Sequence, residues 1–309
     1  MIVGVDVGGS NVHGVILSSQ GSGIAEATRD TPRGPEQIFA AMCEVIDELL
    51  AAAQPDARDA VVAIGVGTPG TVDVRSGVVE NAVNLAVSDP WALAQLLRDR
   101  YGVPAHVDND VKATARGAMA WLASEHVSSL VYVNVGTGVA CACVANGEIV
   151  RGADNIAGEI GHIPVDPAGA ACACGQVGCL ETVIGGGAIM ARLAGQAQSI
   201  SDLFAPDAEG KTALETERAR ILTGIALAVE LVTLTYGADR VVLGGGVISR
   251  IPDVIGRVSE ILRTRAAHSG LLTSLRLHER VRLAPAGIAL AAIGAALTAA
   301  PSGEDQKGK

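Results

Sequence analysis

The sequence predicts an α/β fold made of two related halves, and three observations carry that expectation. Short apolar runs bounded by turn residues alternate with stretches of helical periodicity through the 309 residues, the pattern of sheets covered by helices. Two of the runs, residues 1–7 and 130–135, end in the glycine turns Gly8-Gly9-Ser10-Asn11 and Gly136-Thr137-Gly138 and resume at once over 12–17 and 139–144. Each reads as a hairpin on a glycine turn, and the repetition suggests a duplicated fold with a cleft between its halves. A hydrophobic content of 49% is enough for a large core, and the length suits two domains.

The remaining elements follow in order. Residues 36–53 place Ile38, Met42, Val45, Ile46, Leu49 and Leu50 at helical spacing. Residues 60–66 read as a buried strand ending in the turn Gly67-Thr68-Pro69-Gly70. Residues 91–101 are helical, 105–107 form a short strand running into Asp108-Asn109-Asp110, and 111–122 are Ala-rich and helical. A long apolar helix covers 221–234, and a strand over 240–243 ends in Gly244-Gly245-Gly246. The most apolar stretch, 286–300, lies between Pro285 and Pro301. It is too short for a membrane span and reads as a buried helix. The polar residues 301–309 read as a frayed tail.

Composition narrows the function. A net charge of −10 argues against nucleic acid or an anionic membrane as partner. The first strand pattern starts at Met1 and leaves no room for a secretion leader. Of six cysteines, three gather near a histidine, and Cys141 and Cys143 lie in an apolar run. That usage fits a reducing compartment, so a cytoplasmic protein is expected.

The densest chemistry lies between Glu159 and Glu181. His162, Cys172, Cys174 and Cys179 fall within 18 residues, with Gly175 and Gly178 among them. Four soft or borderline ligands on a short, glycine-bearing loop suit a closed tetrahedral zinc site that shapes its surroundings and does no chemistry itself. The two acids bracket this loop. Carboxylates accept hydrogen bonds from vicinal hydroxyls, so the pair fits a sugar better than an anionic substrate. The glycine turns after strands, at Gly8-Gly9-Ser10, Gly136-Thr137-Gly138 and Gly244-Gly245-Gly246, offer backbone N–H groups and hydroxyls to a nucleotide. Asp110 follows a strand and opens a helix. From there a carboxylate can take the proton of an alcohol attacking phosphorus, although Asp108, Asn109 and Asp110 are equally suited to capping the helix.

On the motifs Glu159-x-Gly161-His162 and Cys172-x-Cys174-Gly175-x-x-Gly178-Cys179-x-Glu181, the chain resembles the ROK family of sugar kinases and related repressors, within the actin-like ATPase superfamily. The likeness runs over nearly the whole chain, residues 2–297. It implies two actin-like, ribonuclease-H-type domains flanking a cleft for ATP and a sugar. The smaller would hold residues 1–112 with the C-terminal helix at about 287–300, the larger 113–286. It implies structural zinc on His162, Cys172, Cys174 and Cys179, and Asp110 as general base. Asn109, Asp110, Glu159, His162 and Glu181 would contact sugar hydroxyls, with Gly67 and Asn84 as further sugar-side positions. Gly8, Gly9, Ser10, Asn11, Gly136, Thr137 and Gly138 would line the phosphates of ATP with Mg²⁺, and Gly244, Gly245 and Gly246 the adenosine. The resemblance also implies a homo-oligomer, dimer or tetramer.

Three positions depart from that pattern. Gly9-Ser10-Asn11 stands where the family usually has Gly-Gly-Thr-Lys, Lys112 where it often has Asn, and Ala140-Cys141-Ala142-Cys143 where more glycines are usual. An ammonium at Lys112 is expected to favour the charged form of Asp110 and weaken it as a base. The expected activity is ATP-dependent phosphorylation of a primary hydroxyl, O6 of a hexose or hexose derivative. The alternatives are a catalytically weak sugar-binding or regulatory member without a DNA-binding domain, a kinase for an amino sugar or cyclitol, and polyphosphate in place of ATP.

Overall fold

The computed structural model describes residues 1–53, 61–205 and 212–300. The start of the expected strand at Ala60 and the tail 301–309 lie outside the described residues. In chain order the strands are β1 (Ile2–Val7), β2 (Asn11–Leu17), β3 (Gly23–Asp30), β4 (Ala63–Thr68), β5 (Thr71–Asp73), β6 (Val78–Glu80), β7 (Ala105–Asn109), β8 (Ser129–Val135), β9 (Val139–Ala145), β10 (Glu148–Ile149), β11 (Arg240–Gly244) and β12 (Val281–Leu283). The principal helices are α1 (Pro35–Ala52), α2 (Leu93–Tyr101), α3 (Asp110–Trp121), α4 (Leu180–Ile184), α5 (Gly186–Arg192), α6 (Thr212–Tyr236), α7 (Val254–Ala266) and α8 (Leu290–Ala299).

The described residues form two compact units, one within 1–126 and 287–300, the other within 127–286. Each is built on a five-stranded sheet, in the order β3-β2-β1-β4-β7 and β10-β9-β8-β11-β12. In both, the first three strands of the segment form an antiparallel meander, and two parallel strands join beside the first. The shared order and strand sense make the duplication explicit, and the expected mixed α/β architecture holds.

In the first unit, alternate residues of β1 face opposite sides. Val3, Val5 and Val7 join a core with Ile38, Met42 and Ile46 of α1. Gly4 faces the other way, where a Cβ would overlap the Ala292 carbonyl oxygen of α8. Gly65 of β4 and Gly117 of α3 meet the α8 carbonyls of Ala295 and Leu290 in the same manner, and Gly294 of α8 meets Ala113. Side-chain-free positions let the α8 backbone lie directly on β1, β4 and α3. This packing corrects the expected domain boundary at 112/113. Because α3 is clamped to α8, the whole helix belongs to the first unit, which ends at His126.

The second unit has its own core, in which Val131, Val133 and Leu243 of the sheet pack with Ile221, Ile225 and Val229 of α6. Helix α6 is the one described helix long and apolar enough to cross a membrane. Its buried residues sit in this core. It is also longer than the expected 221–234. Gly67 and Thr68, expected in a turn, continue β4 to its end.

Candidate functional site

Three parallel strands of the first unit end side by side. Asp6 of β1 pairs in register with Gly67 of β4, which pairs with Asp108 of β7. The carboxyl edge of such a sheet is where α/β folds place reactive groups. Asn109 caps α3, its Oδ1 accepting from the backbone N–H of Val111 at 3.1 Å and of Lys112 at 3.3 Å. Capping therefore falls to Asn109, and Asp110 is the first helical residue. Its Oδ1 accepts from the Val111 N–H at 2.9 Å and from Asn109 Nδ2 at 3.0 Å. A Cβ on Gly67 would lie 3.1 Å from the Ala113 Cβ and 3.5 Å from the Asp110 Cα, so the glycine lets the start of α3 seat close to β4.

Burial raises the pKa of Asp110 above the ordinary carboxylate range. Hydrogen bonds from Val111 and the charge of Lys112 pull it down by less. The expectation that Lys112 weakens this base is therefore not the net outcome, since desolvation outweighs the ammonium. Asp6 is pushed up to about 7, first by burial and then by the like charge of Asp110. In the sequence Asp6 interrupts the apolar run 1–7. Its one sequence signal was a carboxylate two residues before a glycine turn. Asn84 sits exposed in a short 3-10 turn, Val83–Leu85.

The β1–β2 turn is closed by the Gly8 N–H donating to the Asn11 carbonyl at 2.9 Å and held by the Thr31 hydroxyl on the Gly8 carbonyl at 2.8 Å. Gly9, Ser10 and Asn11 are exposed, and nothing lies within 4 Å of where a Gly9 Cβ would be. In the second unit, Gly136, Thr137 and Gly246 line one cavity of about 560 Å³, together with Met190, Gln198 and Arg250. Gly138, Gly244 and Gly245 do not line it. Gly244 makes room for the Tyr132 ring, and Gly138 for the Glu181 carboxylate.

The side-chain ligand atoms of His162, Cys172, Cys174 and Cys179 lie within 4.8 Å of one another. Cys174 and Cys179 Sγ are 3.7 Å apart, and Cys172 Sγ is 3.8 Å from His162 Nδ1. Tetrahedral zinc with thiolates requires edges of about 3.8 Å, which these two pairs match, and all four donors gather closely enough to share one ion. All described cysteines are free. The loop folds on its glycines. Gly175, at φ 91°, closes a turn onto the Cys172 carbonyl. A Cβ on Gly178, at φ 71°, would overlap the Asp166 carbonyl. Gln176 supplies an outer layer, donating to the His162 carbonyl at 3.0 Å and to Cys174 Sγ at 3.5 Å. With Nδ1 towards the cysteines, His162 Nε2 is left 3.9 Å from Glu159 Oε2. Glu159 is exposed. Glu181 Oε2 instead accepts from the Val139 N–H at 3.0 Å, which ties the zinc-loop side to the Gly136–Gly138 turn.

The sequence matches the ROK family over residues 2–300. The chain belongs to the ROK family. A ROK hexokinase from Thermus thermophilus superposes with a TM-score of 0.81 at 28% identity, covering 96% of this chain and 97% of that one. A glucokinase from Halalkalibacterium halodurans is 33% identical over 224 residues, 72% of this chain and 65% of the relative. A putative xylose repressor from a Caldicellulosiruptor species is 36% identical over 183 residues, 59% of this chain and 45% of the relative. The chain thus spans about half to two thirds of the length of these two curated relatives. The two-domain actin-like fold of ROK sugar kinases is the fold of this chain.

In this ROK chain the raised Asp6 carboxyl has a measurable consequence. From about pH 4 to pH 7 the unfolded chain releases the Asp6 proton while the native state keeps it, so stability falls as pH rises through that window and levels off above it. Asp6→Asn removes the buried acid and is expected to raise stability at pH 8 by roughly 1–2 kcal/mol and to flatten the pH profile. Thermal melts in metal-free buffer across that range test this. An unchanged profile in the variant would show that Asp6 is not the group responsible.

Proposed function

We propose that the protein is an ATP-dependent sugar kinase that phosphorylates a primary hydroxyl, O6 of a hexose or hexose derivative. The observation that carries the reading is Asp110, a carboxyl raised by burial, oriented by Asn109 and placed at the carboxyl end of three parallel strands. A base with a raised pKa accepts a proton more readily than an ordinary carboxylate does. In the transfer, the sugar oxygen bonds to the γ-phosphorus, the β–γ bridging bond breaks, the hydroxyl proton passes to Asp110, and ADP leaves. Asn109, Glu159 and the free Nε2 of His162 suit sugar hydroxyls, and Gly67 and Asn84 are assigned to the same substrate. Glu181 keeps one oxygen for it.

Zinc on His162, Cys172, Cys174 and Cys179 would fix the loop between the two acids. The Asp6–Asp110 pair suits the hard Mg²⁺ that accompanies ATP, because a cation would offset the burial that raises both groups and the Asp110 charge that adds to the rise at Asp6. The backbone at Gly8–Asn11 and Gly136–Gly138 is assigned to phosphates, and Gly246 with its cavity to the nucleoside. The hexokinase and glucokinase relatives support this reading. A panel of hexoses, N-acylhexosamines and cyclitols, followed by ADP release, tests it and names the acceptor. No sugar-dependent release from any of them would reject it. The likeness to a putative xylose repressor favours a second reading, a sugar-binding regulator, for which calorimetric sugar binding without turnover is the signature.

The same cavity bears on the donor. Polyphosphate is a string of charges and needs a basic track, whereas Arg250 is the one cationic side chain among the described residues lining this cavity. ATP is therefore expected to exceed polyphosphate by more than about tenfold in kcat/KM. Steady-state rates with each donor at saturating sugar decide it, and equal rates would move the donor site elsewhere.

A further inference from the structure

We propose that Arg192 is a positioning residue for the sugar-side acid Glu181, working as a strut between α4 and α6. This rests on the kinase reading above. Helix α4 has five residues, Leu180–Ile184, too few to satisfy its own terminal carbonyls. The Arg192 guanidinium does it from outside. Nη1 donates to the Thr182 carbonyl and Nη2 to the Val183 carbonyl at 2.7 Å. The same guanidinium is held from behind by Glu217 of α6, with Oε1 accepting from Nε at 2.9 Å and from Nη2 at 2.5 Å. Glu217 is buried, and Arg220 lies 3.7 Å from its other oxygen. A planar fork that meets two carbonyls and a carboxylate at once fixes direction as well as distance, which a point charge cannot do.

The strut matters because of what α4 carries. At its start are the zinc ligand Cys179, fully buried, and then Glu181, whose Oε2 is pinned to the Val139 N–H. Further along, Gly224 of α6 makes room for the Ile184 side chain, so α4 lies close on α6. Past its end, the Gly186 N–H donates to the Gly136 carbonyl at 2.8 Å. Helix α4 is thus held at both ends, and Arg192 is the charged member of that hold. Without it the terminal carbonyls lose their donors, the helix shifts, and the remaining Glu181 oxygen moves off its hydroxyl while the zinc ligands, upstream of the break, stay in place.

The test uses the zinc-loaded full chain and three variants, Arg192→Met, Arg192→Lys and Glu217→Gln. The readouts are affinity for the tightest-binding hexose by calorimetry, KM for ATP, zinc stoichiometry and melting temperature. Arg192→Met is expected to weaken sugar binding about tenfold with zinc content unchanged and KM for ATP within about twofold. Arg192→Lys should restore little, because one ammonium cannot span both carbonyls and Glu217. Glu217→Gln, which keeps an acceptor for Arg192, should fall between the wild type and Arg192→Met and serves if the methionine variant does not fold. Unchanged sugar affinity in the folded variants overturns the inference, as does a parallel loss of sugar and ATP affinity that tracks melting temperature. Sugar binding needs no turnover, so a wild type that binds hexose without releasing ADP rejects the kinase reading and leaves this test intact.

Discussion

Asp110→Asn should lower sugar-dependent ADP release by about 10³-fold or more while changing sugar affinity only a few-fold. The two side chains are nearly isosteric. The amide oxygen of Asn can still accept from the Val111 N–H, which Asp110 Oδ1 now does at 2.9 Å, and the Asn109 cap on α3 does not depend on the charge. What disappears is the ability to take a proton from the attacking hydroxyl. The variant also removes the like charge that helps raise Asp6, so the Asp6 carboxyl should titrate lower, visible as a shift in its carboxyl resonance. Initial rates with saturating ATP and sugar, beside calorimetry of the sugar, separate chemistry from binding. A variant that retains near-native turnover would remove Asp110 from the mechanism.

Stripping zinc, or replacing Cys179, should abolish measurable sugar binding while leaving the core of the second unit folded. Residues 163–179 bury little of their own. Ile163 and Val177 are 39% and 49% exposed, and the buried side chains of Cys172 and Cys179 belong to the cluster suited to a metal ion. A segment with so little apolar burial cannot offset its ordering entropy, so the binding energy of the ion becomes the folding energy of the loop. Of this segment's apolar side chains, Val165 alone packs against the core around Val131, Leu243 and Ile225, and it is only partly buried. Hydrogen exchange after chelation should therefore rise across 159–181 and stay low in β8 and α6. Uniform exchange through the whole unit would mean that the metal supports more than the loop. Within the ligand set, His162→Ala should cost more sugar affinity than Cys172→Ala at equal zinc loss, since only His162 has a second ring nitrogen beside Glu159. Equal losses would confine His162 to the metal.

Much of this site was legible because its determinants are local. The cysteine loop carries its ligands, its glycines and its flanking acids within one short segment, so spacing alone reveals the donor set. The two glycine-turn hairpins were likewise visible, because each strand and its partner are neighbours in sequence. What escaped depends on distant register. Asp6 acquires a role only when β1 lies against β4 and Gly67 brings it towards Asp110. Glu181 reads as a free acid until the fold hands one oxygen to Val139, 42 residues earlier. Which of residues 108–110 caps the helix was open in sequence and is settled by the extended dihedral angles of Asn109 at the helix entry. The edge strand β3 was missed because Ala27 is its one buried residue, which leaves no alternating signal to read.

The seating of α8 on Gly4, Gly65 and Gly117 also sets an order of events during synthesis. Residues 127–286 form their unit from one continuous stretch, whereas the first unit needs a helix that leaves the ribosome after all of them. While the second unit is already able to close, the growing chain holds β1 and β4 with one face bare, awaiting their last layer. That interval is when the nascent protein is open to mispairing and most in need of a chaperone.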